Sequence, residues 1–245
     1  MKDLRSVQAP DRRTGFQSRT WNRRAESWDH SAMPGLEKVT AAVCDKAAPV
    51  ADLDVVDLGS GSGQVALKLA PGARSVLAVD FSSDMLRILQ DRAADQGLSN
   101  VNTQLSTLQA LRLPDASVDV IVSNYALHHL RHPEKVELLG RCAKWLRPGG
   151  RIVVGDMMFG LTGDAQGRQI IAGKVRSIAK RGPAGWWRIA KNAWKMLVAR
   201  QECPEPMSSW ESMLTGAGFE VFDSGRVVAE AAFVAGRLRP IPATA

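Results

Sequence analysis

Residues 55–63 combine an apolar run with three glycines at alternate positions, Gly59, Gly61 and Gly63. Glycine reaches backbone angles that are closed to other residues, and without a Cβ it lets the main chain lie against a ligand. Helical spacing of apolar residues follows over residues 64–69. A strand, a glycine-rich turn and a helix N-terminus in this order are typical of a nucleotide-binding corner.

One acidic residue precedes this glycine turn and another follows it. Asp57 precedes the first glycine by two residues, and Asp80 ends the next apolar run, residues 76–79. An acid at the end of a second strand can accept hydrogen bonds from two ribose hydroxyls. The dinucleotide pattern G-x-G-x-x-G would need glycine at position 64, where the chain has Gln64. The spacing therefore departs from the dinucleotide fingerprint.

Four further motifs extend the pattern: residues 80–86 (DFSSDML), 113–119 (LPDASVD), 123–130 (SNYALHHL) and 146–151 (LRPGGR). With the glycine turn, their order and spacing resemble the class I S-adenosylmethionine-dependent methyltransferases of the ubiquinone/menaquinone and natural-product small-molecule type. The motifs lie within residues 54–156. The resemblance implies S-adenosyl-L-methionine as the cofactor and S-adenosyl-L-homocysteine as the product.

The resemblance and the predicted strand ends together define an expected cofactor pocket. Asp57 and the turn are expected around the methionine part, with Asp57 holding the ammonium indirectly, and Asp80 is expected at the ribose. Phe81 and Met85 would contact the adenine, and the residues that end the fourth strand would lie under the sulfonium. The predicted cofactor-binding residues are Asp57, Gly59, Ser60, Gly61, Ser62, Asp80, Phe81, Met85, Thr107, Leu108, Ser123 and Asn124.

One position departs from the family pattern. Relatives carry Asp-Ala or Asn-Ala after the third strand, where the side chain meets the adenine amino group, and this chain has Thr107-Leu108 there. A threonine hydroxyl can still form a hydrogen bond, but it lacks charge and reach. We expect this contact to contribute about 1 kcal/mol less to binding.

The candidate catalytic residues follow the fourth strand. Methyl transfer needs a positioned nucleophile and excluded water, and a base is needed only when the acceptor begins protonated. The predicted catalytic residues are His128, His129 and Tyr125, with Asp156 and His30 as further candidates for a base. A structural role fits the pair equally well, with one histidine bonded within the fold and the other facing the substrate. No metal is predicted, because adjacent histidines on a turn point apart.

Alternation of strands and helices from residue 54 onward predicts an α/β fold with helices on both faces of the sheet. The expected sheet is Rossmann-like, doubly wound, mostly parallel and seven-stranded, with an antiparallel edge pair. The predicted strands are 54–58, 75–79, 101–105, 118–123, 151–156, 219–222 and 231–235, and the predicted helices are 64–70, 83–96, 133–146 and 208–218.

The chain of 245 residues predicts one domain, residues 21–245, after a flexible arm over residues 1–20. Within it, helices over residues 21–48 and a helical insertion over residues 159–206 are expected to cover the active site. The three cysteines share no metal-ligand spacing, and no run approaches the roughly 18 apolar residues of a spanning helix. A cytoplasmic location is expected, with peripheral membrane contact left open.

The net charge of +7 is concentrated in residues 168–200, which hold nine basic residues and no acid. Trp186, Trp187 and Trp194 share an apolar arc of this segment on a helical wheel. Three interpretations remain: packing on the core with a solvated basic face, docking on a membrane interface, or contact with an anionic substrate or nucleic acid. Nucleic acid is disfavoured because the basic residues follow helical amphipathicity and no known binding module is present.

The sequence therefore predicts a methyltransferase that acts on a small, bulky apolar acceptor such as a quinone, a lipid or a secondary metabolite. Two alternatives remain: a membrane-associated phospholipid methyltransferase, and a cofactor-binding protein without catalytic activity. The atom that receives the methyl group and the number of assembled chains are not predicted.

Overall fold

The computed structural model describes residues 35–160 and 203–240. The predicted arm, His30 and the basic segment 168–200 lie outside these residues. The elements in chain order are α1 (Leu36–Ala47), β1 (Asp54–Leu58), α2 (Ala66–Leu69), β2 (Ser75–Asp80), α3 (Ser83–Asp95), β3 (Val101–Leu105), β4 (Val118–Asn124), a 3-10 turn (Leu127–His129), α4 (His132–Trp145), β5 (Leu146–Met157), α5 (Met207–Gly216), β6 (Phe219–Val228) and β7 (Ala231–Leu238).

The seven strands form one sheet in the order β3-β2-β1-β4-β5-β7-β6. The first five strands pair in parallel, and β7 lies antiparallel between β5 and β6. The predicted mostly parallel seven-stranded sheet with an antiparallel edge pair is confirmed. The strand order reverses between β1 and β4, and such a reversal opens a crevice at the carboxyl ends of the strands.

Two apolar clusters cover the two faces of the sheet. One contains Leu138 of α4 and Trp210 of α5, and the other contains Val43 of α1. Along β4, Ile121 belongs to the first cluster while Val120 and Val122 belong to the second. This division follows from the alternation of side chains along a strand. It explains why the central strands are continuous apolar runs in the sequence.

The boundaries of several elements differ from their predicted positions. The helix expected over residues 64–70 is reduced to α2, because the glycine turn continues through Gly63, whose φ is 93°. The strand expected over residues 151–156 begins earlier, and the last two strands extend beyond their apolar runs. Pairing along β6 and β7 continues past the residues that face the core, so backbone hydrogen bonding sets their length.

Helix α1 packs directly on the sheet at Gly155 of β5. A Cβ at this glycine would lie 2.5 Å from Val43 Cγ2 and 2.7 Å from Val39 Cγ1. Carbon atoms in proteins do not approach this closely, so the missing side chain permits the contact. The helix is thereby brought beside the end of β4, where the crevice opens.

Gly155→Ala should lower the free energy of unfolding by about 1–3 kcal/mol, because the added methyl group overpacks the seat of α1. Gly140→Ala is the matched control: a Cβ at Gly140 of α4 meets no atom within 4 Å. This control should raise the free energy of unfolding by up to about 1 kcal/mol through helix propensity. Urea denaturation of both variants gives the comparison, and equal midpoints for Gly155→Ala and the unmodified protein would contradict the packing argument.

Candidate active site

A pocket opens at the carboxyl ends of β1, β2 and β4, with further walls from the turn after β3 and the first turn of α1. Eleven predicted cofactor-binding residues line it: Asp57, Gly59, Ser60, Gly61, Ser62, Asp80, Phe81, Met85, Thr107, Leu108 and Asn124. Of the predicted catalytic residues, Tyr125 and His129 line it as well. The structure therefore brings most of the predicted site to one cavity, and the role of each residue remains a prediction.

The glycine turn crosses from β1 onto the end of β2. The amides of Gly59 and Ser60 donate to the carbonyl oxygen of Val79 at 2.8 and 3.0 Å. Gly59 has a φ of 73°, and a Cβ there would lie 2.3 Å from the Cβ of Ala126 in the turn after β4. Both the conformation and the contact need glycine, so the turn after β1 and the turn after β4 close against each other at the base of the pocket.

Asp80 fastens the glycine turn to β2. Its Oδ2 accepts a hydrogen bond from the Gly61 amide at 2.9 Å, and its Oδ1 accepts one from the Ser82 amide at 2.8 Å. Burial raises the pKa of this carboxyl, and hydrogen bonds from the backbone amides of Ser82, Gly61 and Phe81 oppose that rise. A carboxylate has about four lone-pair positions, so Asp80 retains acceptor capacity toward the pocket. Its part in anchoring the turn was not visible in the sequence.

Asp57 lies at the inner end of the pocket and is 1% exposed. Its Oδ2 accepts a hydrogen bond from the Ala66 amide at the start of α2, at 3.0 Å. Burial raises the pKa of Asp57 to about 7; the Ala66 amide acts against this rise, and the charge of Asp80 adds to it. The ionisation of Asp57 is thus placed near neutral pH.

Thr107 occupies the predicted adenine side of the pocket. Its Oγ1 accepts a hydrogen bond from the Ala110 amide at 3.2 Å, so the side chain caps the turn that follows β3. The hydroxyl keeps its own proton to donate and one lone pair. Ser106 and Gln109 line the same wall and were not predicted. Their polar side chains within two residues of Thr107 are the signal that the sequence offered.

Tyr125 follows β4 with a φ of 51°, and its amide donates to the carbonyl oxygen of Gly155 at 2.9 Å. Burial raises the pKa of the Tyr125 phenol to about 12, and the charges of Glu230 and Asp156 add to this effect. Tyr125 therefore keeps its proton at neutral pH. In that state it can donate a hydrogen bond to a ligand, but it does not provide a phenolate base.

The 3-10 turn directs the side chains of the two adjacent histidines into different surroundings. His129 lines the pocket, whereas His128 is 6% exposed and does not. The Nδ1 of His128 lies 2.6 Å from Asp156 Oδ1, and its amide donates to Asp156 Oδ2 at 2.8 Å. The rings of the two histidines lie 4.1 Å apart. Asp156 therefore holds the His128 side chain within the fold, and the catalytic role predicted for His128 stays a prediction.

Ser123, which was predicted to bind the cofactor, is held within the fold. Its side chain is 1% exposed, and its hydroxyl donates to the carbonyl oxygen of Leu58 at 2.7 Å. This bond ties the end of β4 to the end of β1. Ser123 is not among the residues that line the pocket, so the structure supports a role in joining the two strands.

The main chain at Cys203 contacts the 3-10 turn that carries the histidines. The Cys203 amide donates to the carbonyl oxygen of His128 at 2.6 Å. The buried Lys135 donates to the Cys203 carbonyl, and its Nζ lies 5.5 Å from the ring centroid of Trp210. Backbone and side-chain contacts therefore fix this turn on two sides.

Within residues 35–160 and 203–240, no three His, Cys, Asp or Glu side chains form a group that could hold a metal ion. Over the same residues, no helix has the length and apolar character needed to cross a membrane.

A family described as a methyltransferase domain matches residues 55–150. This match covers less than half of the chain. Phosphoethanolamine N-methyltransferase 1 of Caenorhabditis elegans is 37% identical over 97 residues, which cover 40% of this chain and 20% of that protein. The 27-O-demethylrifamycin SV methyltransferase of Amycolatopsis mediterranei is 29% identical over 159 residues, which cover 62% of this chain and 57% of that protein. The chain therefore spans less than two thirds of either relative.

Among solved structures, phosphoethanolamine N-methyltransferase 1 of Haemonchus contortus, in complex with phosphoethanolamine and S-adenosylhomocysteine, has the same fold. Its TM-score is 0.69 at 18% identity, over 95% of this chain and 50% of that chain. The predicted Rossmann-like fold is confirmed. The match to a methyltransferase domain agrees with the predicted class I S-adenosylmethionine-dependent methyltransferase and with S-adenosylmethionine as its cofactor.

The polar lining of the pocket fits S-adenosylmethionine. Ser60 Oγ and Asn124 Oδ1 are buried, lie on residues of the pocket wall, and have no hydrogen-bond partner among the described residues. Buried polar atoms are almost always paired in folded proteins. Two such atoms beside the acceptor Asp80 suit a ligand with hydroxyl and amino groups.

Ser60→Ala should weaken S-adenosylmethionine binding about fivefold, since it removes one hydrogen-bonding group from the pocket. The unliganded variant should be as stable as the unmodified protein or more stable by up to about 1 kcal/mol, because a buried unpaired hydroxyl is removed. Ser123→Ala is the contrasting variant, with about 1 kcal/mol lost in stability and unchanged affinity. Calorimetric titration and thermal unfolding measure both properties, and unchanged affinity in Ser60→Ala would contradict the assignment.

The raised pKa of Asp57 predicts a pH dependence of stability. An acid with a higher pKa in the folded than in the unfolded chain destabilises the fold wherever it is ionised. For Asp57 this penalty is absent below its ordinary pKa of 3.8 and complete above about 7. As pH rises between these values, the free energy of unfolding of the unmodified protein should fall by about 1–4 kcal/mol. The Asp57→Asn variant should not show this fall.

Denaturant unfolding at several pH values measures this difference. Asp91→Asn is the control, because the Asp91 side chain on α3 is 65% exposed. Parallel pH profiles for Asp57→Asn and the unmodified protein would be inconsistent with a pKa near 7.

Proposed function

We propose that this chain transfers a methyl group from S-adenosylmethionine to a small, bulky apolar acceptor. The observation that carries the proposal is the continuity of the pocket wall. The anchored glycine turn and Asp80 border the same cavity as Tyr125 and His129. Residues suited to holding the cofactor and residues suited to acting on an acceptor therefore face one space.

S-adenosylmethionine, when bound, supplies a methyl group already activated by a sulfonium. The protein must hold the acceptor in line and exclude water. The protonated Tyr125 can donate a hydrogen bond that orients an acceptor oxygen. His129 can accept the proton of an acceptor hydroxyl, since imidazole takes up protons near neutral pH. His128 and Asp156 support this arrangement by fixing the turn that carries His129.

Part of the pocket wall favours an apolar acceptor. The side chains of Leu36 and Leu130 line the pocket. Two charged lining residues are paired with each other: Arg131 Nη2 lies 3.2 Å from Glu134 Oε1, and the Arg131 amide donates to Glu134 Oε2 at 2.7 Å. A carboxylate already engaged by a guanidinium has little charge left to attract an ionic acceptor.

The named relatives act on acceptors of different kinds, phosphoethanolamine for one and a demethylrifamycin for the other. The phosphoethanolamine relative matches only 40% of this chain, whereas the rifamycin relative matches 62%. The longer match to an enzyme with a bulky acceptor agrees with the apolar wall.

Calorimetric titration with S-adenosylmethionine and S-adenosylhomocysteine tests the cofactor half of the proposal. We expect micromolar binding that Asp80→Ala weakens at least about tenfold, since the ribose acceptor and the anchor of the glycine turn are both lost. Asp91→Ala, on the exposed face of α3, is the matched control and should bind normally.

An acceptor screen tests the other half, with release of S-adenosylhomocysteine as the signal. The panel contains a quinol, a phenolic polyketide, a lipid and phosphoethanolamine. Turnover with phosphoethanolamine alone would contradict the apolar acceptor. Cofactor binding without turnover on any compound would favour the alternative of a non-catalytic cofactor-binding protein.

The membrane-associated alternative depends on residues 168–200, which the structure does not describe. Their nine basic residues, absent acids and three tryptophans motivate it. Sedimentation with anionic vesicles at low salt tests this alternative. Binding that is lost when Trp186, Trp187 and Trp194 are changed to Ala would support it, and no binding at low salt would exclude it.

His129→Asn should lower kcat by roughly 10²-fold on an acceptor that loses a proton, because the base is removed. Binding of S-adenosylmethionine should not change. His132→Asn is the control, since that side chain is 55% exposed and lies 3.1 Å from Glu205. If kcat falls equally in both variants, His129 is not the base.

A further inference from the structure

The pocket wall carries two buried carboxyl groups and little positive charge. Asp57 and Asp80 both line the pocket and are 1% and 7% exposed. Among the described residues of this wall, Arg131 is the only lysine or arginine, and its Nη2 lies 3.2 Å from Glu134 Oε1. The described wall therefore offers the two buried acids no lysine or arginine that is not already engaged by another carboxylate.

The contacts of Asp57 leave its charge finely balanced. Burial favours the neutral form of a carboxyl group, and a hydrogen bond from an amide favours the charged form. Burial is the larger effect and raises the pKa of Asp57 to about 7; the Ala66 amide acts against this rise, and the charge of Asp80 adds to it. Without a ligand, a part of the Asp57 population is therefore protonated at neutral pH.

The other groups packed around Asp57 do not supply a compensating charge. Burial, with the charge of Asp57 adding to it, raises the pKa of the Cys44 thiol on α1 to about 11, so this thiol is neutral. Lys68 of α2 is exposed, and its charge lowers the pKa of Cys44. The neighbours of Asp57 on the adjacent strands are Ala78 and Val122, which do not titrate.

A cation bound in the pocket would reverse the preference of Asp57 for its proton. A positive charge within a few ångströms favours the ionised carboxylate, and this attraction acts through space without direct contact to the buried oxygens. S-adenosylmethionine carries two positive groups, its ammonium and its sulfonium. Of the other titratable groups that line the pocket, Tyr125 keeps its proton, since its pKa is raised to about 12.

We propose that Asp57 releases its proton to the solvent when S-adenosylmethionine binds, so that the affinity for the cofactor rises with pH through the neutral range. The inference rests on the proposed function. The sign follows from linkage: the complex holds fewer protons than the free protein, so raising the pH favours the complex. The gain ends above a pH of about 7, where Asp57 is already ionised in the free protein.

Calorimetric titration of the full chain, in buffers that differ in ionisation enthalpy, counts the protons released. The unmodified protein should release about half a proton per S-adenosylmethionine at pH 7 and about 0.9 at pH 6 beyond what Asp57→Asn releases. Asp57→Asn keeps the shape of the side chain and removes the titrating group. Asp91→Asn, on the exposed face of α3, is the matched control and should behave as the unmodified protein does.

The affinity itself gives a second measurement. Between pH 6 and pH 8, S-adenosylmethionine binding by the unmodified protein should tighten about tenfold relative to binding by Asp57→Asn. The ligand's own amino group titrates equally in both experiments, so the comparison between the two proteins removes its contribution.

Three ligands identify the charge that Asp57 responds to. S-adenosylhomocysteine keeps the ammonium and lacks the sulfonium, and 5′-methylthioadenosine lacks both. Proton release shared by S-adenosylmethionine and S-adenosylhomocysteine assigns the effect to the ammonium, and release confined to S-adenosylmethionine assigns it to the sulfonium. Equal release with 5′-methylthioadenosine overturns the proposal, because the charge of the ligand would not be its cause.

Equal proton counts for Asp57→Asn and the unmodified protein would also overturn the inference. If Asp57→Asn does not fold, the unmodified protein alone decides the question. Its affinity for S-adenosylmethionine relative to 5′-methylthioadenosine should rise between pH 6 and pH 8, and a constant ratio overturns the proposal. Failure of the unmodified protein to bind any of the three ligands would instead overturn the proposed function, and this inference with it.

Discussion

The carboxylate of Asp80 is the contact on which the pocket depends. It joins the end of β2, the glycine turn and the start of α3 through the amides of Gly61 and Ser82. A buried carboxylate loses hydration, and two amide donors offset part of that cost. Without it, the amides of Gly61 and Ser82 would lose their partner, and only the Gly59 and Ser60 amides would still hold the turn to Val79 of β2. The same group therefore shapes the site and offers it an acceptor.

The sequence predicted the central sheet well because burial of both faces leaves a direct trace in residue type. The strand at 54–58, buried at four of its five positions, was predicted with its observed bounds. The lengths of β6 and β7 could not be read in this way, since they are set by hydrogen bonds between main chains. Pairing of this kind does not require apolar residues and leaves no pattern in the side chains.

Pocket residues could be predicted where one local motif determines both the backbone conformation and the position on the pocket wall, as at Gly59, Gly61 and Asp80. The sequence does not show which of two adjacent side chains faces the pocket. Ser123 and His128 each lie beside a residue that faces the pocket, and each is held by an internal hydrogen bond. Successive residues of a 3-10 turn point about 120° apart, so adjacent histidines face different surroundings. Leu36 was not predicted as a pocket residue, because it comes from α1, whose position depends on the packing around Gly155.

The close approach of Gly59 and Ala126 has a consequence for how such a site can change over time. The space that a side chain at position 59 would need is filled by the methyl group of Ala126. A larger residue at position 126 would have to displace the glycine turn. One small volume therefore lies between two segments of the site. One segment carries Tyr125 and His129, and the other is the glycine turn. New acceptor preferences should arise by exchange of the covering elements, with this shared junction kept small, so that specificity can diverge while the cofactor half stays the same.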